Sequence, residues 1–338
     1  MRSELLEKLY YGLPEDDRQR VLTGKKVTSI ASDDVGVSVT CSDGATYTGS
    51  MIIGADGAHS ATRLAMRRLA LDEDPNRAWD PENPFVSEYK LAWFRAPTIL
   101  DRGCFNFTYA SGYSAMWLSL AESSCGIIYA KLPEPTRERT RYTKRDLEEY
   151  VAQYAHLPAT ETHTFGDVVD LSMAGMVNVE EGLAENWSWG RIVLIGDACH
   201  KMSPNLGMGY QAGLQDIVDL ANRLRRALRA APDRQPDVET LGKTFEDYKT
   251  SRAKPLSEVL DVSHKGIRLH TRASWIDWIF TRFIFSWDFA MRYLVGKSAP
   301  RIARSLVLDY VPASEPMMGR VKWEHPMPES SDTGDSGR

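Results

Sequence analysis

The hydrophobic pattern changes period most clearly between residues 192 and 228. Ile192-Val193-Leu194-Ile195 is an unbroken apolar run, as in a strand buried on both faces, and it stops on Gly196-Asp197. A polar loop holding Pro204 and Gly207 follows. Leu214, Ile217, Val218, Ala221, Leu224 and Leu228 then recur at helical spacing. They predict a helix that opens between Gly207 and Gly213 and buries those residues on one face. A carboxylate thus stands at the carboxyl end of a strand, beside a glycine-lined helix N-terminus. That crevice suits an anionic or electron-rich ligand.

Residues 2–11 are amphipathic, with Leu5, Leu6, Leu9 and Tyr10 on one side, and predict a short helix. Strand patterns occupy 21–34, 36–43 and 45–56, with turns at Asp33-Asp34 and Asp43-Gly44. Met51-Ile52-Ile53 ends on Gly54-Ala55-Asp56-Gly57, and an Arg-rich helix is expected over 59–70. Residues 72–84 read as a loop, and 87–96, 104–111, 113–121 and 125–132 as aromatic-rich strands. A helix over 143–154 precedes a loop-rich segment that runs to Trp187 and Trp189. Residues 230–238 read as a linker, 239–312 as mainly helical and 326–338 as a disordered polar tail. Two strand–acid–helix units around a β insert predict an α/β nucleotide-binding domain interrupted by a substrate domain.

Composition narrows the function classes. The 338 residues are 43% hydrophobic and 26% charged, as in a soluble globular protein with a sizeable core. A net charge of -5 with scattered Lys and Arg argues against a nucleic-acid partner. Cys41, Cys104, Cys125 and Cys199 form no CxxC, so a reduced, cytoplasmic setting is expected. The first residues hold no apolar signal-peptide core. His156, His163, His264, His270 and His325 lack metal-ligand spacing, and no metal site is expected. His200 near Asp197 suggests a dyad, but no G-x-S-x-G nucleophile accompanies it. Asp277, Arg282, Asp288 and Arg292 interrupt the aromatic run 275–296 too often for it to span a bilayer. That run reads either as a buried helix pair or as an interfacial patch in peripheral membrane contact, through which a greasy substrate arrives.

Taken singly, Gly54–Arg63 (GADGAHSATR) and Ile195–Asp216 are each compatible with an ordinary capped strand-to-helix connection. Together they hold Asp56, Gly57, Ser60 and Arg63 as DG-x-x-S-x-x-R, then Gly196, Asp197, Ala198, His200 and Pro204 as GDA-x-H-x-x-x-P. In this order and spacing the two motifs resemble the class A FAD-dependent monooxygenases, the para-hydroxybenzoate hydroxylase-like family. The similarity is greatest to its fungal epoxidases and hydroxylases of terpenoid, meroterpenoid and indole-alkaloid pathways. Arg2, which leads R-x-x-L-x-x-x-L, and Leu308–Pro312 (LDYVP) fit the same family.

The resemblance implies an α/β fold: an incomplete Rossmann-like FAD-binding domain, an inserted β-sheet substrate domain and a C-terminal helical region. The corresponding boundaries are 1–70 and 187–230 for FAD binding, 71–186 for substrate, 239–325 for the helices and 326–338 for the tail. It implies FAD and NADPH as cofactors, held by Arg2, Asp56, Gly57, Arg63, Gly196, Asp197, Pro204, Gly207, Gly209 and Tyr210. Asp197 would take the ribityl chain, the Gly207–Gly209 amides the pyrimidine end, and Asp56 and Arg63 the pyrophosphate and nucleotide. His200 is structural in that family. A hydrophobic metabolite would lie against the aromatic strands. Tyr89, Lys90 and Tyr113 are the catalytic candidates, and Tyr109 is a further polar group at the cavity wall. The implied reaction inserts one oxygen atom from O2, as an epoxide or hydroxyl, through a flavin C4a-hydroperoxide.

Two departures accompany the match. The family's G-Q-G-x-N helix start is here Gly207-Met208-Gly209-Tyr210-Gln211. A G-x-G-x-x-G opening from a strand is not found, because Gly207–Ala212 fits its spacing but follows a polar loop. An exposed apolar sheet edge is therefore expected. So is one of three identities: a piece of a longer monooxygenase, a short form that holds flavin weakly or with a partner chain, or a remnant. Such a remnant would be inactive or would catalyse non-oxidative isomerisation or cyclisation.

Overall fold

A computed structural model describes residues 2–96, 98, 101–285, 287–312, 321–325 and 327–328. Helices α1 (Arg2–Gly12) and α2 (Glu15–Arg18) open the chain. The α1 residues Leu5, Leu6, Leu9 and Tyr10 are exposed and form no packed face. An antiparallel meander follows, built of β1 (Val27–Ser32), β2 (Val37–Cys41) and β3 (Thr46–Gly49). Its first turn is held by Asp33, whose carboxylate accepts from the amides of Val35 and Gly36 at 2.8 Å each.

Strand β4 (Ile52–Gly54) leads into α3 (Ala61–Glu73). The middle of the chain supplies β5 (Val86–Ala96), β6 (Phe105–Tyr109), β7 (Tyr113–Ser119) and β8 (Ser124–Thr136). Helices α4 (Lys144–Tyr154) and α5 (Phe165–Val168) and strand β9 (Asp170–Leu183) complete the insert. The chain returns through β10 (Ser188–Trp189), β11 (Ile192–Leu194) and β12 (His200–Lys201). It ends in α6 (Met208–Ala230), α7 (Val238–His270), α8 (Trp275–Ile279), a π-helical turn at Phe280–Ile284, α9 (Asp288–Gly296) and α10 (Ala299–Ala303).

Two packed cores result. In the first, β11 lies parallel to β4 and antiparallel to β10, and Ile192, Val193 and Leu194 are wholly buried. The apolar run therefore behaves as a strand covered on both faces. Gly54 makes the parallel pair compatible with α3, because a Cβ there would lie 2.7 Å from both Leu194 and Thr62. Met66, Trp187, Leu220, Phe245 and Tyr248 close this core. β4 is the outer strand of its sheet, and Ile53 is exposed.

The second core is a six-stranded antiparallel sheet in the order β12-β9-β5-β8-β7-β6. One face, with Phe94, Trp117 and Ile128, is covered by α4 and α5 through Leu147, Tyr150 and Phe165. On the other, Tyr89, Leu91, Tyr129 and Val179 meet Ile267 of α7. The 33-residue α7, about 50 Å long at the usual helical rise, thus joins both cores, and Pro255 lies inside it.

Three sequence expectations are corrected. The segment expected to be loop-rich contains β9, a 14-residue strand paired with β5 along its length. Its polar residues and Gly175 hide the alternation. The indole of Trp93 lies on Gly175, where a Cβ would come within 2.8 Å of Nε1. Helix α6 is turned from its expected orientation: Leu214, Ile217 and Leu228 are exposed, and although Leu224 is buried as expected, the other buried positions are Ala212, Asp216, Asp219, Leu220 and Asn222. Polar pairing with α7 sets that orientation: Asp216 meets Arg252, and Asp219 accepts from Ser251. Lastly, 275–296 does not form a buried pair, since Trp275, Trp278, Phe283 and Trp287 are all exposed. The expected tail lies outside the described residues except for 327–328.

Candidate functional site

The strongest feature is the junction between β11 and α6. The Gly196–Ala198 turn packs on the first turns of α6, where a Cβ on Gly213 would sit 3.8 Å from Gly196 Cα. Asp197 is half-exposed and pairs with Lys201, which lies on β12 and so belongs to the edge of the six-stranded sheet. Pro204 opens a 3-10 turn to Leu206, and Gly207 follows at φ 65°, a left-handed conformation that suits glycine. Gly207 is the N-cap of the 23-residue α6 and supplies no side-chain acceptor. The first amides of α6, at Met208, Gly209 and Tyr210, thus form a positive helix end without a side-chain cap. Tyr210 itself is exposed. The G-x-G-like spacing of Gly207–Ala212 follows this 3-10 turn and not a strand, as its polar flank indicated.

A buried ionic network fixes the junction from below. Asp216 Oδ2 lies 2.5 Å from His200 Nε2 and accepts the Gly196 amide at 3.0 Å. Its Oδ1 accepts Arg252 Nε at 2.9 Å, and Arg252 Nη2 donates to the Ala212 carbonyl at 3.1 Å. Burial pushes the Asp216 carboxyl up, but His200 and Arg252 outweigh it and hold the group below the usual carboxylate range. Ligand-type atoms of Cys199, His200 and Asp216 lie within 4.8 Å of one another. Arg252 already supplies the cation there. Sequence reasoning missed Asp216 and Arg252. The available signal was a pair of acids, Asp216 and Asp219, inside an otherwise apolar helix.

The first motif is built differently. Asp56 accepts from Ser60 Oγ, from the Thr62 amide at 2.9 Å and from Thr62 Oγ1 at 3.0 Å. Ser60 caps α3 by accepting the Arg63 amide at 2.9 Å. Arg63 is buried and donates to the carbonyls of Ala198 at 2.8 Å and Ala58 at 2.6 Å. It therefore staples the two motifs together and does not present a guanidinium to a nucleotide. Gly57 turns at φ 83°, and the Asp56 carboxylate serves its own helix. Arg2 is in α1, and its side chain lies outside the described residues.

The three catalytic candidates do not converge. Strand alternation sends Tyr89 toward α7, where Thr271 Oγ1 donates to its hydroxyl at 3.2 Å. Burial raises its pKa, partly opposed by that hydrogen bond, so the phenol stays protonated. Lys90 points to the opposite face, 5.1 Å over the Tyr150 ring, and Tyr113 joins it there with its ring 5.1 Å from Tyr154. Tyr109 returns to the α7 face, beside His270. That face also carries an apolar floor: Trp93, Met173 and Val177 are 41%, 47% and 47% exposed. A groove of about 520 Å³ between α4 and β9, lined by Thr143, Leu147 and Met176, contains none of the candidate residues.

Comparison with known proteins assigns the family. The FAD binding domain profile matches residues 3–238. The chain is 31% identical over 342 residues to the FAD-dependent monooxygenase srdH of Neurospora crassa, covering 96% of this chain and 75% of that protein. It is 28% identical to the FAD-dependent monooxygenase ausM of Penicillium brasilianum, covering 98% and 70%. With verC1 of Penicillium polonicum, another FAD-dependent monooxygenase, it shares 29% identity but spans only 38% of that protein's length. Among solved structures, a variant of Klebsiella pneumoniae HpxO complexed with FAD superposes with a TM-score of 0.63 at 22% identity, covering 88% of this chain and 72% of that one. Diels-Alderase PyrE3, of the pyrroindomycin pathway, superposes at 0.55 with 19% identity, covering 83% and 57%. This chain belongs to the FAD-dependent monooxygenases, and its fold is that of the FAD-binding flavoprotein hydroxylases.

The residues present fit the flavin end of FAD. Beside the uncapped α6 terminus, Ser203 Oγ and both polar atoms of the Asn205 side chain are buried without a protein partner. Asp197 adds an accessible carboxylate. Donors and acceptors of this kind match a polyol chain and a carbonyl-bearing ring.

Proposed function

We propose that this chain is the flavin-holding part of a monooxygenase that uses FAD and NADPH to place one oxygen atom from O2 on a hydrophobic secondary metabolite of the terpenoid type. The β11–α6 junction carries the reading, with its accessible Asp197 beside an uncapped helix terminus. FAD, when bound, supplies hydride acceptance and oxygen activation. The chain's own groups do the rest. Asp197 accepts from the ribityl hydroxyls in place of Lys201. The Met208–Tyr210 amides stabilise negative charge at the pyrimidine edge. The His200–Asp216–Arg252 network keeps the Gly196 turn at fixed height against α6. Trp93, Met173 and Val177 offer a flat apolar surface that orients a ring and excludes water. Tyr89 braces this sheet from beneath α7 as a neutral hydroxyl.

Titration with FAD, read by quenching of flavin fluorescence, tests the assignment. Asp197→Ala is expected to weaken binding at least about tenfold with an unchanged melting temperature, since it removes a half-exposed group. Equal affinity in the variant would remove the basis of the reading.

A second reading is non-oxidative cyclisation or isomerisation, favoured by the superposition on Diels-Alderase PyrE3. An anaerobic assay without NADPH separates the two: turnover under those conditions supports cyclisation, and strict dependence on O2 and NADPH supports oxygen insertion.

A further inference from the structure

Residues 272–304 combine two features. The first is exposure of large apolar groups. Trp275, Trp287 and Phe289 are 72%, 65% and 78% exposed, and Trp278, Phe280 and Phe283 are exposed beside them. Such a concentration exceeds the scattered apolar groups of an ordinary surface. The second is charge. Within 272–304 the sequence holds Arg272, Arg282, Arg292, Lys297, Arg301 and Arg304 against Asp277 and Asp288, a net of +4, whereas the whole chain is -5, and Arg304 pairs with Glu324 beyond the segment. The remainder therefore carries -9. Asp277 is moreover engaged at its own helix start, where it accepts from the Ser274 amide at 2.9 Å and from Ser274 Oγ at 2.7 Å. The cations lie among the rings: Arg282 sits 5.7 Å over Phe283, and Lys297 4.8 Å over Tyr293.

Tryptophan and tyrosine interleaved with Arg and Lys match the headgroup layer of a bilayer, where rings enter the acyl boundary and cations meet anionic lipid. Among the described residues no helix is long and apolar enough to cross a membrane, so this segment would lie on the surface. We propose that α8, the π turn and α9 form a docking surface for an anionic lipid bilayer. The patch is joined to the sheet by rings in sequence. Phe285 lies 6.4 Å from Tyr109, Tyr109 5.7 Å from Phe107 and Phe107 4.5 Å from Phe105. Those three β6 residues share the face that α7 crosses, with His270 4.3 Å from Phe107. A lipid-dissolved molecule thus meets an apolar surface that continues from the bilayer to the six-stranded sheet. The proposal rests on exposure and charge, and it stands or falls independently of the cofactor assignment.

Flotation of the purified full chain with vesicles tests it, using phosphatidylcholine alone and phosphatidylcholine with phosphatidylserine. The expected result is co-flotation with the anionic vesicles that weakens as salt rises, together with quenching of tryptophan fluorescence by brominated lipid. Combined Trp275→Ser, Trp278→Ser and Trp287→Ser is expected to lower the partition coefficient at least about tenfold. Arg282→Glu with Arg292→Glu is expected to abolish the preference for anionic vesicles. Circular dichroism confirms that each variant is folded, and the salt dependence and quenching of the unaltered chain need no variant. Absence of flotation by the folded unaltered chain overturns the proposal, as does equal partitioning of the triple variant. A concentration-dependent dimer that the tryptophan changes dissolve, without vesicle binding, assigns the patch to contact between copies and also overturns it.

Discussion

The two strand-to-helix junctions share a plan and differ in where their polar groups go. At β4–α3, Asp56 and Ser60 turn inward on their own helix and Arg63 fills carbonyls across the interface. At β11–α6, Gly207 supplies no cap, Asp197 stays accessible, and Ser203 and Asn205 keep buried polar atoms without protein partners. A junction whose carboxylate and hydroxyl are satisfied within the chain, as those of Asp56 and Ser60 are, is a brace. One whose groups are not is a place for a ligand. Two motifs that look equivalent as sequence therefore have different physical roles, and Arg63 converts one into the support of the other.

Variants that break this division should differ in size and in kind. Asp216→Ala leaves Arg252 without its buried partner beneath the open junction, and is expected to cost about 3–5 kcal/mol in urea unfolding. Part of the acid response must be separated from this. His270 lies at the far end of α7, and burial lowers its pKa to about 4. The unfolded chain then binds the extra proton first, so stability falls as pH drops from about 6.5 to 4, by up to about 3 kcal/mol. His270→Phe, packed on Phe107 and Tyr109, should flatten that window. The Asp216 contribution is lost only below its ordinary value of 3.8, so the two are resolved along one pH series. Arg63→Met loses both carbonyl bonds and the guanidinium that sits 5.1 Å over Phe85, and is expected to cost about 2 kcal/mol while leaving the FAD affinity proposed for Asp197 in place. Ser60→Ala removes one cap of the closed junction, costs about 1 kcal/mol, and should leave flavin affinity unchanged. Loss of affinity in Ser60→Ala beyond its stability cost would contradict the division into brace and site.

Much of this arrangement was legible from the sequence because it is local. The β11 run, the turns at Asp33 and Gly44, the helix α4 within 143–154 and the Gly196-Asp197 stop each depend on neighbours in the chain. Both motifs stood out for the same reason. What could not be read depends on partners far away. β9 is a strand because β5 and β12 pair with it, although its own alternation is weak. The orientation of α6 follows from Arg252 and Ser251, more than thirty residues on, which outweigh its apolar stripe. Tyr89, Lys90 and Tyr113 are close in composition but divided by the two-residue period of their strands, which only a known sheet face resolves.

Helix α7 carries a mechanical implication. Arg252 grips the β11–α6 junction just before Pro255, and Ile267 and His270 press on the sheet some fifteen residues beyond. Proline removes one rung of the helical ladder at that spot. With about 22 Å of rod past it, a bend of about 10° there swings the His270 end by about 4 Å. A change of bend at that single imino acid would therefore alter the clearance between the β11–α6 junction and the sheet.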